Sequence, residues 1–84
     1  MITVLYFARL REALGTGSER MPLPPTVRNL DSLRALLIAR GGVWAQEFAQ
    51  RRSLRAAVNQ NIALGDANIA DGDEIAFFPP VTGG

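Results

Sequence analysis

Three residue types that carry much of protein chemistry are missing from this sequence. It has no cysteine, no histidine and, because all nine basic residues are arginine, no lysine. Thiol nucleophiles, imidazole bases, Schiff-base amines and thiolate or imidazole metal ligands are therefore excluded. Without cysteine, the sequence gives no information about disulfides or the redox state of its compartment. We expect a protein that has few reactive side chains, binds no metal ion and does not catalyse a reaction alone.

The sequence also lacks a large excess of acidic or basic residues, and it has no long apolar segment. Nine basic and eight acidic residues give a formal charge of +1, without the concentrated basic surface of a nucleic-acid binder. No apolar run approaches the roughly 20 residues that span a bilayer. The apolar residues 1–7 are too few for a signal peptide and follow no basic region. We therefore predict a cytoplasmic protein, with neither nucleic acid nor membrane among its partners.

The first part of the chain predicts a strand, a short helix and a second strand. Residues 2–7 (ITVLYF) are rich in β-branched and aromatic residues, which favour a central strand. Residues 8–14 have apolar positions near helical spacing and precede Gly15, a natural left-handed stop. Residues 18–23 alternate weakly and include Pro22, which cannot donate to a strand ladder, so we predict an edge strand.

The middle of the chain predicts the principal helix. Leucines recur at helical spacing after Asn29, which is the favoured N-cap, with Thr26 as the alternative. The pattern extends to Arg40 in the last turn and ends at the glycines 41–42, which suit a C-cap. Residues 43–49 predict one or two further helical turns that pack on the same core.

Three short strands complete the chain. Residues 54–59 alternate with Leu54, Ala56 and Val58 on one face, and residues 62–64 and 74–78 are the other two. One main helix across one face of a mixed sheet of about five strands, with one or two short helices, is an α+β fold. Among the possible topologies we predict the β-grasp, or ubiquitin-like, arrangement, with the two terminal strands central and parallel. Residues 1–78 would form this domain.

Residues 79–84 (PPVTGG) predict an extended tail. Pro79 and Pro80 are stiff, and the β-branched Val81 and Thr82 also favour an extended backbone, which argues against a frayed end. Six extended residues span about 20 Å, enough to thread the last carboxylate into the active site of a partner. The glycines at 83–84 would pass a narrow channel and allow close approach to the carbonyl.

The whole chain resembles the molybdopterin synthase sulfur-carrier subunits. The resemblance includes YFARLREALG after the first strand, AVNQ at residues 57–60 and the closing DGDEIAFFPPVTGG. Sulfur carriers of the thiamine pathway and eukaryotic ubiquitin-like modifiers share the Gly-Gly end, but the FFPPVTGG context resembles the molybdenum-cofactor branch.

The resemblance implies a mechanism at the chain end. An E1-like adenylyltransferase would use ATP and Mg²⁺ to adenylate Gly84, and a sulfur donor such as a cysteine desulfurase or rhodanese-like protein would lead to a thiocarboxylate. The large synthase subunit, in a heterotetramer, would hold Gly83 and residues 79–82 and direct the sulfur to cyclic pyranopterin monophosphate. The catalytic residues would lie on that subunit, and this chain would bind no permanent cofactor.

Strand alternation and the resemblance together predict a docking surface. If Ile75 and Phe77 face the core, Phe78 points outward, and the same alternation in the first strand turns Phe7 outward. In the family, the positions that match Phe7, Ile62 and Phe78 form an apolar contact patch. Each could instead be an ordinary core residue or an isolated surface hydrophobe.

Two charged clusters have simpler interpretations. Arg51, Arg52 and Arg55 could meet an acidic patch on a partner, but a solvated loop is the more common role for such a cluster. Asp71 and Asp73 flank a glycine and predict a turn, since calcium requires six to eight oxygen ligands.

Three other functions remain open from the sequence. The chain could deliver sulfur in the thiamine branch, could be conjugated to lysines of other proteins as a modifier, or could be an interaction module that is never activated. A chain without lysine could not form isopeptide polymers with itself.

Overall fold

Five strands form one mixed sheet in the computed structural model, which describes residues 1–49 and 54–80. The strands are β1 (Ile2–Tyr6), β2 (Ser18–Met21), β3 (Arg55–Val58), β4 (Asn61–Ala63) and β5 (Glu74–Phe78), in the spatial order β2-β1-β5-β3-β4. β1 and β5 are parallel neighbours, and the other pairs are antiparallel. The predicted central parallel pair is confirmed, and β2 lies at a sheet edge as Pro22 indicated.

Three helices follow the predicted order: α1 (Ala8–Leu14), α2 (Leu30–Ile38) and α3 (Gly42–Ala49). Each contributes buried side chains to a core built on one face of the sheet. The central core residues are Ile2, Val4 and Tyr6 of β1, Ile75 and Phe77 of β5, Leu10 of α1, Leu33 and Leu37 of α2, and Phe48 of α3. Burial of each of these side chains contributes about 1.5–3 kcal/mol, which holds the helices against that face of the sheet. The three helices do not cover the other face. The predicted α+β, β-grasp architecture is confirmed.

The start of α2 is set by a reciprocal cap. The Asn29 side chain accepts a hydrogen bond from the Ser32 backbone N–H at 2.8 Å, and the Ser32 hydroxyl accepts one from the Asn29 backbone N–H at 3.1 Å. Two of the otherwise unsatisfied N–H groups at this helix end are paired in this way. The prediction of Asn29 as N-cap is confirmed over Thr26.

The predicted end of α2 was wrong. The helix ends at Ile38, so Arg40 lies in the following turn instead of the last helical turn. Gly41 has a positive φ of 75°, and Gly42 begins α3. The physical reason is that the chain tightens after Ile38, where the Arg40 N–H bonds the Leu37 carbonyl at 3.1 Å and the Gly41 N–H bonds the Ile38 carbonyl at 3.0 Å, three residues back instead of four.

Arg40 joins the α2–α3 turn to the sheet. Its guanidinium donates two hydrogen bonds of 2.8 Å to the carboxylate of Glu19 on β2 and lies 4.4 Å from the ring centre of Trp44. The Tyr6 hydroxyl donates to the same carboxylate at 2.8 Å. The bonds from Arg40 hold the pKa of Glu19 below its usual value, and burial raises the pKa of Tyr6. Tyr6 therefore stays protonated as a donor, and Glu19 stays ionised as an acceptor.

We expect Glu19→Gln to lower the free energy of unfolding by about 1 kcal/mol at neutral pH, because the partly buried ion pair with Arg40 is lost. The pKa of Glu19 is lower in the folded state, so its contribution is present above the unfolded pKa and is lost as the pH falls through the folded pKa. Urea unfolding across a pH series should show parent and variant converging in acid. The exposed Glu12→Gln is the matched control, and an equal deficit at every pH would contradict the assignment.

β5 has its predicted bounds, and the other four strands differ from theirs by one or two residues, mainly where turns begin. β1 ends at Tyr6 because Ala8, at a φ of 55°, turns the chain into α1. Asn59 and Gln60 both have positive φ and form the two-residue turn between β3 and β4. In the described part of the chain, no helix is long and apolar enough to cross a membrane.

Candidate functional site

The open face of the sheet carries a row of outward-facing residues in register. Leu5 pairs with Ala76, Ala76 with Ala57, and Ala57 with Ile62, across β1, β5, β3 and β4. Residues directly opposite one another point to the same side of a sheet. These four residues, the inner row, therefore form an apolar band across the face that the helices leave uncovered.

A second row lies two residues further along β5, at its carboxyl end. Arg55 pairs with Phe78. Phe7 follows Tyr6, which pairs with Phe77, and its N–H bonds the Phe77 carbonyl at 3.2 Å. Leu64 follows Ala63, the partner of Ala56, and so comes beside Arg55. We call Phe7, Phe78, Arg55 and Leu64 the outer row, and the two rows together the docking face.

Exposure separates the large residues at the margins of this face from the core, whereas Ala57 in the inner row is 6% exposed. Phe7 is 47% exposed and Ile62 66%, whereas Phe77, next to Phe78 in the chain, is 3% exposed. Phe78 is half-buried. The predicted alternation, with Phe77 inward and Phe78 and Phe7 outward, is confirmed. The structure brings Phe7 beside Phe78, with Ile62 in the neighbouring row. Whether they bind a partner stays a prediction.

Sequence reasoning missed Leu64, the most exposed large hydrophobic residue in the described part of the chain at 78%. It directly follows β4, and by strand alternation it points to the same side of the sheet as Ile62. Alternation within the predicted strand 62–64 was the signal that could have found it. Leu5 was also missed, although the same alternation that turned Phe7 outward turns Leu5 outward too.

The tail leaves the domain beside the outer row. β5 ends at Phe78, and Pro79 and Pro80 follow half-buried. The predicted site residues Val81, Thr82, Gly83 and Gly84 lie outside the described residues, as do Arg51 and Arg52 of the predicted basic cluster. The six residues after Phe78 can span at most about 20 Å, so a partner that holds the chain end lies within that distance of the outer row.

Asp71 and Asp73 lie just before β5, at the opposite end of that strand from Phe78. Asp73 accepts hydrogen bonds from the Ala70 N–H at 2.8 Å and the Asn59 amide at 3.0 Å, and Asp71 pairs with the Met1 ammonium. Both carboxylates therefore have partners in the protein, and the predicted turn at residues 71–73 is confirmed.

A cavity of about 160 Å³ lies between α2 and the β4 edge of the sheet. Asp31, Arg34 and Arg55 line it, together with Ile62 and Leu64 of the docking face. It is smaller than the roughly 300–1,000 Å³ of typical small-molecule sites, so it suits a side chain of a docked protein better than a cofactor. Its lining includes no thiol, imidazole or amine nucleophile.

The sequence matches the model of the ThiS family over residues 4–84. It is 45% identical over the whole of both chains to the molybdopterin synthase sulfur carrier subunit of Escherichia coli. It is also 35% identical to small archaeal modifier protein 1 of Haloferax volcanii, covering 93% of this chain and 94% of the relative.

Solved structures share the fold. The putative molybdopterin converting factor subunit 1 of Pyrococcus furiosus superposes with a TM-score of 0.77 at 28% identity, over 95% of this chain and 97% of that one. One subunit in the complex of subunits 1 and 2 of the molybdopterin-converting factor from Helicobacter pylori superposes with a TM-score of 0.66 at 21% identity. That match covers 99% of this chain and 97% of the other, and at this identity it shows the fold alone.

Proposed function

The chain belongs to the ThiS family, as a relative of the molybdopterin synthase sulfur carrier subunits, and on that premise we propose that it carries sulfur for molybdopterin synthase as a thiocarboxylate on Gly84. The observation that carries the proposal is the 45% identity, over the whole of both chains, to a protein of that function. The Gly-Gly end supports it, since a carrier needs a slender reactive terminus that a partner can enclose.

The chemistry begins with activation of the last carboxylate. A free α-carboxylate has a pKa of about 3.5 and is ionised at neutral pH, so it is a poor acyl donor. We propose that a carboxylate oxygen of Gly84 attacks the α-phosphorus of ATP, with Mg²⁺, on an E1-like adenylyltransferase and displaces pyrophosphate. ATP and Mg²⁺ thus belong to the partner.

Sulfur then replaces the nucleotide. A persulfide sulfur from a cysteine desulfurase or rhodanese-like donor attacks the Gly84 carbonyl and displaces AMP. A second thiol cleaves the S–S bond of the acyl disulfide, which leaves the thiocarboxylate and a new disulfide. The thiocarboxylate sulfur then acts as the nucleophile toward cyclic pyranopterin monophosphate. Formation of each dithiolene requires two carriers that each bear a thiocarboxylate.

The large subunit of the synthase is the proposed acceptor of the tail. It would cover the docking face around Phe7, Ile62 and Phe78, with residues 79–84 in its active site and two copies of each subunit in a heterotetramer. The catalytic residues and the substrate pocket would then belong to the large subunit, since this chain supplies no thiol, imidazole or amine side chain of its own. The proposed compartment is the cytoplasm.

Reconstitution tests the proposal. Incubation with the adenylyltransferase, ATP, Mg²⁺ and a sulfur donor is expected to raise the intact mass by about 16 Da, the exchange of one oxygen for sulfur. Addition of the large subunit and cyclic pyranopterin monophosphate should yield molybdopterin. A mass gain without molybdopterin, but with product from a thiazole-forming enzyme, would assign the chain to the thiamine branch instead.

The likeness to small archaeal modifier protein 1 favours a second candidate, conjugation of Gly84 to amines of other proteins. The same activated terminus would serve, with an amine in place of the persulfide as nucleophile. Branched peptides in which residues 56–84 of this chain are joined through Gly84 to a lysine of a cellular protein, identified by mass spectrometry after tryptic digestion, would support this role. Their absence in cells that make molybdopterin would restrict the chain to sulfur transfer.

A further inference from the structure

Arg55 is the one charged residue of the docking face. It is opposite Phe78 on β5 and beside Leu64, and it is exposed. The ion pairs among the described residues join Arg9 to Glu47, Arg40 to Glu19, and the Met1 ammonium to an aspartate. None of them includes Arg55. Asp31 lines the same cavity, and no ion pair of the described residues joins it to Arg55.

A partner that covers the outer row removes water from Arg55. The guanidinium cannot avoid this cost by losing its proton, because an arginine side chain stays a cation in proteins. A charge that is desolvated without a partner is strongly unfavourable, whereas a hydrogen-bonded carboxylate can offset the cost. A partner surface that is apolar opposite Phe7, Phe78 and Leu64 therefore also needs an acidic group opposite Arg55.

We propose that the protein surface that receives this tail carries a carboxylate that pairs with Arg55, between the sockets for Phe78 and Leu64. The proposal rests on the proposed function for the identity of that surface, the large subunit of the synthase. The planar fork of Arg55 matches a carboxylate through two parallel hydrogen bonds, so the pair fixes orientation as well as charge.

The position of Arg55 gives the pair a second consequence. Phe78 is the last residue of β5, and the tail begins at Pro79. An ion pair opposite Phe78 therefore sets the register in which the tail enters the partner, within about 20 Å of the reacting carbonyl. A partner with an apolar surface but no acid at this point would be rejected, since docking would leave a guanidinium buried and unpaired.

The test is binding to the large subunit from the same organism, by titration calorimetry at low and high salt. Arg55→Glu places like charges together and is expected to weaken binding at least about thirtyfold. Arg55→Met keeps an apolar stem but leaves the partner carboxylate unpaired, and a loss of about tenfold or more is expected. Arg28→Glu makes the same change of charge at an exposed site outside the docking face, and we expect less than about a threefold effect.

The outcomes separate the inference from the proposed function. If the parent does not bind the large subunit, the proposed function fails, and with it this inference. If the parent binds and Arg55→Met binds as tightly or more tightly, the partner offers no carboxylate and the inference alone is overturned. Equal losses for Arg55→Glu and Arg28→Glu would also overturn it. Unchanged melting temperatures would establish that the Arg55 variants are folded.

Discussion

Removal of Gly84 is expected to reduce sulfur transfer to the background of the assay, while the domain melts at the parent temperature. In the proposed chemistry the reacting carbonyl is that of Gly84, so a chain that ends at Gly83 would present its carboxylate about 3.5 Å short of the position to which the partner is fitted. A displacement of that size is large where about 1 Å can cost a hundredfold in rate. The core extends from Ile2 to Phe77, so folding should not depend on the last residue.

Extension of the chain beyond Gly84 should have the same effect, because the carboxylate becomes a peptide bond that ATP cannot adenylate. The matched control is an extension at Met1. β1 and β5 run parallel, so Met1 lies where β5 begins, at the opposite end of that strand from the tail, and its carbonyl accepts a hydrogen bond from the Gly72 N–H. Full activity in a protein tagged after Gly84 would contradict the proposed chemistry.

Gly83→Ala is a smaller change at the same end of the chain. The added methyl is expected to leave folding unchanged and to slow adenylation or tail insertion by crowding the channel. Single-turnover rates of adenylation and of sulfur transfer, measured separately, would locate the effect. An unchanged rate in both would indicate that the channel has room for a side chain at this position.

The second large effect is expected from two neighbouring phenylalanines that face opposite sides of β5. Phe78→Ala should raise the Kd for the large subunit about thirtyfold, or about 2 kcal/mol, because Phe78 is a proposed anchor of the docking face. Phe77→Ala should instead lower the free energy of unfolding by about 3–5 kcal/mol. Phe77 is buried and packs edge-on against Phe48, with ring centres 5.2 Å apart, so its loss leaves a cavity.

Phe7→Ala is expected to behave like Phe78→Ala, because Phe7 is 47% exposed beside it on the same face. Paired titration and thermal melting of the three variants would separate the two kinds of loss. A large drop in the melting temperature of Phe78→Ala with unchanged affinity would mean that Phe78 stabilises the domain and is not an anchor.

Several features of this protein could be predicted from local sequence patterns. The alternation of Ile75 and Phe77 with Phe78 needs only the two-residue period of a strand, and the cap at Asn29 needs only a helix start with a serine three residues later. The absence of thiol, imidazole and amine side chains limits the chemistry directly, since no fold can supply a group that the chain lacks. The Gly-Gly end is likewise a property of the sequence alone.

Other features depended on contacts between residues far apart in the sequence. The contacts of Arg40 could not be predicted, because its guanidinium bonds Glu19, 21 residues earlier in the chain. The composition of the docking face, with Arg55 between Phe78 and Leu64, depends on how β3 pairs with β4 and β5. A shift of one residue in that pairing would turn every side chain of β3 to the other face, and short strands do not encode their register locally. The fold class and the Gly-Gly end therefore follow from the sequence, whereas the side chains that surround the end of β5 follow only from the tertiary pairing of the strands.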